Sequence, residues 1–139
     1  MLKINKRFLI ALLTFALPFG CIGCVGCSDG GSADIPASYD QISGAEAKAL
    51  MDSESGYIII DAREQYEYDE GHIPGAILIP YGEIADRAEK ELPDKDQLIL
   101  VYCRSGRRSK IAAEELVKLG YTNVKEFGGI IDWKYEIVK

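Results

Sequence analysis

Apolar and polar positions alternate along the chain in blocks of two periods. YIIID (Tyr57–Asp61), AILIP (Ala76–Pro80), QLILVY (Gln97–Tyr102) and VKEF (Val124–Phe127) are strand-length. The first three are nearly continuous in apolar residues, the pattern of strands covered on both faces. Between them lie stretches of helical period. Ser43-Gly-Ala-Glu46 forms a capping box and opens a helix that runs to about Ser53. Glu64 to Glu70 is a short helix ended at Gly71. Tyr81 to Leu92 sets Ile84, Ala88 and Leu92 along one side. Arg107 to Leu119 is amphipathic, with Ile111, Ala112, Leu116 and Leu119 facing inward and Gly120 as the stop. Strands separated by helices predict an α/β fold with a central parallel sheet flanked by helices on both faces.

The first residues break this pattern. MLKINKR brings Lys3, Lys6 and Arg7, and FLIALLTFALPF follows from Phe8 to Phe19 without a charge. A basic leader before a short apolar run is the layout of an export signal. The run alone is too short to span a bilayer, although extended to Gly26 it reaches spanning length. Cys21, Cys24 and Cys27 then recur at every third residue, each after a glycine. The run resembles a bacterial lipobox, a small residue and then a cysteine directly after the apolar segment. It departs from one at position −3, which is Pro18, Cys21 or Cys24 rather than leucine. Cys27, followed by SDGGS, has the best tether after it. The same spacing occurs in iron–sulfur proteins. Here it lies between a leader and a linker with no scaffold to fix ligands, so no metal or cofactor is expected. The organisation is therefore signal peptide with cysteine run (1–27), flexible linker (28–38) and folded domain (39–139). The expected location is extracytoplasmic, held at the membrane by an N-terminal lipid or by the signal segment.

Composition sharpens one feature. The formal net charge is −6, which argues against nucleic acid as a partner. The first 38 residues contain three bases and two acids, so the domain is more acidic than the whole chain. Yet LVYCRSGRRSK (Leu100–Lys110) places Arg104, Arg107 and Arg108 within five residues of Cys103, with Ser105 and Gly106 between. Cys103 falls where a central strand gives way to a helix, the end of an α/β sheet at which ligands bind. A glycine-bearing turn there can aim successive amides at an anion. That anion can be the thiolate. An ordinary cysteine has a pKa of about 8.5, and lowering it by about two units requires about 2.7 kcal/mol. A helix dipole supplies about 1 kcal/mol at most in an exposed site. Loop amides and guanidinium groups must provide the rest, at about 1.5–3 kcal/mol for each hydrogen bond to a charged group. A cysteine serving only as a small apolar filler explains neither the glycine nor the arginines. Cys103 is also the one cysteine of the domain, so no internal disulfide can disable it.

Three ordered elements together resemble a single-domain rhodanese, a sulfurtransferase module, over about Tyr39 to Glu136. DAREQYEYDEGHIPGAILIP (Asp61–Pro80) is similar to the family's D-x-R-x-x-x-E-x-x-x-G-H-I-P-G-A element, with Glu67 at the acidic position. YCRSGRRS is similar to its active-site loop, and GGIIDW (Gly128–Trp133) to its C-terminal element. The resemblance implies that Cys103 takes a sulfur from a small anionic donor such as thiosulfate, forms a persulfide, and passes the sulfur to cyanide, a thiol or a protein acceptor. The alternatives are a persulfide carrier or redox docking module without turnover, and a phosphatase or arsenate reductase. The last pair use His-Cys-x5-Arg, a longer loop than the six residues from Cys103 to Arg108. The resemblance also implies that His72, the sole histidine, belongs to a structural turn. Asp61 and Arg63 brace neighbouring loops or border the pocket. Trp133 packs in the core, Tyr66 and Tyr68 lie on a solvated helix face, and the loop arginines steer the donor.

Overall fold

The structure is a computed structural model, and it describes residues 38–139. The apolar leader, the cysteine run and nearly all of the linker lie outside the described residues.

The apolar runs pair into one five-stranded, all-parallel sheet. Its strands are β1 (Asp40–Gln41), β2 (Ile58–Asp61), β3 (Ala76–Leu78), β4 (Ile99–Cys103) and β5 (Val124–Gly129), in the order β1-β5-β4-β2-β3. Its helices are α1 (Gly44–Ser53), α2 (Gln65–Glu70), α3 (Ile84–Glu91) and α4 (Arg107–Lys118). Central β4 is buried along its whole length, as its unbroken apolar run requires. Register carries the strand alternation across the sheet. Ile60 lies opposite Val101, and both enter one core with Ala88 of α3 and Ala112 and Leu116 of α4. Ile59 lies opposite Leu100, and both enter a second core on the other face with Ala47 of α1, Phe127 and the half-buried Trp133. Helices thus cover both faces.

Local signals hold in detail. Ser43 and Glu46 close the capping box in both directions. The helical stretch from Tyr81 is two pieces, a 3-10 turn at Tyr81–Glu83 and then α3. Two expectations, on Ile111 and Tyr68, are corrected, and one strand is added. β1 went unrecognised because two exposed polar residues carry no period; pairing with Lys125 and Glu126 alone defines it. Ile111 is 40% exposed rather than inward. The buried face of α4 is Ser109, Ala112, Ala113, Leu116 and Val117, one residue out of phase with Ile111. Tyr68 is half-buried rather than solvated: its ring stacks on His72 at 3.7 Å between centroids, and its hydroxyl donates to the Ala76 carbonyl at 2.7 Å. Among the described residues, no helix is long and apolar enough to cross a membrane.

Candidate active site

Cys103 is the last residue of β4, and α4 begins four residues later. The turn between them works because Gly106, the residue before α4, takes φ +102°, a left-handed angle that a side chain would strain. This turns the Gly106 amide onto the Cys103 sulfur at 3.0 Å. The thiol is 1% exposed. Burial pushes its pKa up. The Ser109 hydroxyl and the amides of Ser109, Gly106 and Ser105 pull it down, and the net position is below the ordinary thiol value. The loop is therefore built to hold negative charge at sulfur, and backbone amides do much of it.

The neighbouring strand makes room for that loop. Val101 pairs with Glu126, but Cys103 pairs with Gly129, so β5 carries one extra residue between the two pairs. Gly128 absorbs the irregularity at φ +86°. Gly129 then lies directly against the loop: a Cβ there would sit 2.1 Å from the Arg104 carbonyl oxygen. The double glycine of GGIIDW is thus a steric demand of the Cys103 turn.

The three arginines have different positions. Arg104 and Arg107 are exposed. Arg108 instead turns to α2 and grips Glu67 through two hydrogen bonds, of 2.6 and 2.7 Å. The hydrogen bond from Arg108 holds the Glu67 carboxyl well below the usual range, at about 2. This pair ties the Cys103 loop to the D-x-R-x-x-x-E element.

Asp61 and Arg63 form a second buried cluster. Arg63 holds both carboxylate oxygens of Asp61, with its closest contact at 2.6 Å, and donates to the Gly71 carbonyl at 2.7 Å. Tyr102 donates to Asp61 at 2.6 Å and accepts from the Ile73 amide at 3.1 Å. Burial, and then the Asp61 charge, push the Tyr102 phenol pKa far up. This network fixes the turn after α2 to the residue before Cys103; its contacts are all within the framework. His72 belongs to the same turn. Its Nδ1 faces the Tyr68 carbonyl at 3.0 Å, and its backbone pairs with Val138.

Two residues packed against the Cys103 loop are not singled out by the sequence. Ser109 and Glu126 are buried and bonded to each other at 2.6 Å. Their signal was an acid on the inward side of the last strand, in phase with Val124 and two residues before the double glycine.

Fold and site define an α/β domain with one thiol on an amide-lined turn at the carboxyl end of its central strand. Residues 43–136 match the Rhodanese-like domain family, and the chain belongs to that family. The thiosulfate sulfurtransferase PspE of Escherichia coli is 42% identical over 73 residues, covering 52% of this chain and 70% of that protein. The thiosulfate sulfurtransferase GlpE of Coxiella burnetii is 36% identical over 97 residues, covering 69% and 88%. A Bacillus subtilis protein provisionally named a sulfur carrier, YrkF, is 39% identical over 103 residues; the match spans 73% of this chain but only 55% of that protein. Among solved structures, a rhodanese with anions from E. coli superposes with a TM-score of 0.57 at 40% identity, covering 60% of this chain and 98% of that one.

Proposed function

We propose that the protein is a sulfurtransferase that moves a sulfur atom from a donor such as thiosulfate to a thiophilic acceptor through a persulfide on Cys103. The observation that carries this reading is the Gly106 amide 3.0 Å from the Cys103 sulfur, in a loop whose amides favour the thiolate. The thiolate attacks the outer sulfur of thiosulfate. The donor's S–S bond breaks, sulfite leaves with the electron pair, and Cys103 holds a persulfide. Cyanide or a thiolate then attacks the outer sulfur and takes it, and the Cys103 thiolate leaves. No general base is required, since the attacking group is already an anion. The relatives named thiosulfate sulfurtransferases support this choice of donor.

The exposed Arg104 and Arg107 support an anionic donor, because they stand in a chain of net charge −6. The basic leader, the apolar run and the cysteines at 21, 24 and 27 support an exported protein held at the membrane. Steady-state turnover of thiosulfate with cyanide tests the reading. Sustained turnover that is lost in Cys103→Ser supports it. Loading of one sulfur followed by a stop points to a carrier instead, and undiminished turnover in Cys103→Ser refutes the mechanism.

A further inference from the structure

Cys103 is almost wholly covered within its turn, so an acceptor must carry its own nucleophile down to the sulfur. The surface around the turn combines two properties. It is basic. Arg104, Arg107 and Lys110 are exposed, and no acid occurs from Cys103 to Ala113 in a chain of net charge −6. Among the described residues none of these three bases is held in an ion pair, whereas Arg108 is. The surface is also apolar at two points. Ile131 is 62% exposed. Its amide donates to the Arg104 carbonyl at 3.3 Å, two residues after Gly129, which pairs with Cys103 across the sheet. Ile111 is also exposed and stands four residues after Arg107, on the same side of α4. Thiosulfate and cyanide offer no apolar surface for either isoleucine to cover. Free cations set around exposed aliphatic side chains suit a protein surface of opposite charge. We propose that this rim is the docking surface for a protein sulfur acceptor whose cysteine lies on a protruding segment flanked by acidic and aliphatic side chains.

The docking role rests on the persulfide reading of Cys103 and gives that persulfide its taker. The acceptor's thiolate attacks the outer sulfur of the persulfide. The S–S bond to Cys103 breaks, Cys103 leaves as a thiolate with the electron pair, and the acceptor holds the persulfide. Arg104, Arg107 and Lys110 draw in the acidic flanks, and the isoleucines cover the aliphatic ones. The exposed acid beside Ile131, Asp132, leaves the rim net positive. A basic partner meets like charge at the same place, so the rim selects as well as attracts.

Two synthetic peptides test this surface. One has a single cysteine between glutamates and leucines, and its twin has lysine for every glutamate. The rate at which each discharges thiosulfate-loaded protein is measured at low and high salt, with cyanide as the small acceptor. The acidic peptide should be faster than its twin by about tenfold or more at low salt, and salt should shrink the difference. Neighbouring lysines favour the peptide thiolate and neighbouring glutamates oppose it, so the chemistry alone predicts the reverse order. Ile131→Ser, a change at an exposed position, should slow the acidic peptide several-fold and leave cyanide discharge unchanged. Equal rates for the two peptides, or a faster basic one, overturn the proposal. So does an Ile131→Ser variant that keeps its peptide rate or loses the peptide and cyanide rates alike. Self-association in sedimentation that Ile131→Ser abolishes would give the rim to a second copy of this chain and overturn it as well. If wild type takes up no sulfur from thiosulfate, the sulfurtransferase reading fails, and the surface is then read by binding alone. The acidic peptide with serine for cysteine should still bind the unloaded protein more tightly than its basic twin and more weakly after Ile131→Ser; absence of either difference overturns the docking surface.

Discussion

Arg108 and Glu67 show how one side chain can be counted for one role and occupied in another. Arg108 is bound bidentate to Glu67 and largely covered. Arg108→Gln should therefore act first on stability, by about 1–3 kcal/mol, since it leaves a carboxylate without its donor. Chemical denaturation measures this. The pH dependence has a definite sign. Glu67 is lowered to about 2 in the fold, so its contribution is present above the ordinary carboxylate pKa and is lost as pH falls toward 2. Glu67→Gln should accordingly flatten the acid limb of the stability curve in that window. Arg107→Gln, by contrast, alters an exposed charge. It should raise KM for thiosulfate most at low salt, because exposed charges are screened over about 10 Å at 0.1 M, and should affect an uncharged donor much less. A KM unchanged at low salt would remove steering from the role of this arginine. The sequence placed three arginines beside the thiol. It could not separate Arg108 from the others, because Glu67 lies 41 residues away on another helix.

At the scale of elements, the Cys103 turn is a joint product of β4, α4 and β5. Gly129→Ala puts a methyl group 2.1 Å from the Arg104 carbonyl oxygen, a contact that only backbone movement can relieve. That variant should lose most thiol reactivity while the rest of the sheet folds; unchanged alkylation rates with native circular dichroism would show that the loop tolerates the shift. His72→Ala should cost about 1 kcal/mol of stability through the lost stack on Tyr68 while keeping kcat, since its ring nitrogen faces a backbone carbonyl. A folded variant with kcat down a hundredfold would place the histidine in the chemistry. The strong elements were legible because their periods were: β2, β4 and α1 fall within a residue or two of the boundaries read from sequence. β1 was not, since two exposed residues have no period to read. Ile111 misled because α4 buries small residues, Ala112, Ala113 and Ser109, where sequence logic favours the large one.

For the molecule as a whole, order of elements and position of the thiol were legible together, since a cysteine at the end of the central apolar strand of an α/β pattern is brought to the ligand-binding edge. The Ser109–Glu126 contact was not, because it depends on which residues of α4 and β5 meet across a helix–sheet interface. The proposed tether belongs to this scale as well. Replacing Cys21, Cys24 and Cys27 together with alanine should abolish metabolic fatty-acid labelling and free the domain, or leave it held only by the unprocessed leader. Labelling that persists in the triple variant would exclude acylation in this run, and stoichiometric iron or zinc in the mature protein would favour the metal alternative.

The central claim is that sulfur travels on Cys103. Intact mass after brief exposure to thiosulfate tests it most directly. Wild type should gain one sulfur, located to the peptide containing Cys103 and removed by cyanide, and Cys103→Ser should gain none. A wild-type protein with an ionised thiol and no added sulfur, or a Cys103→Ser variant that still takes one up in the folded domain, would contradict it.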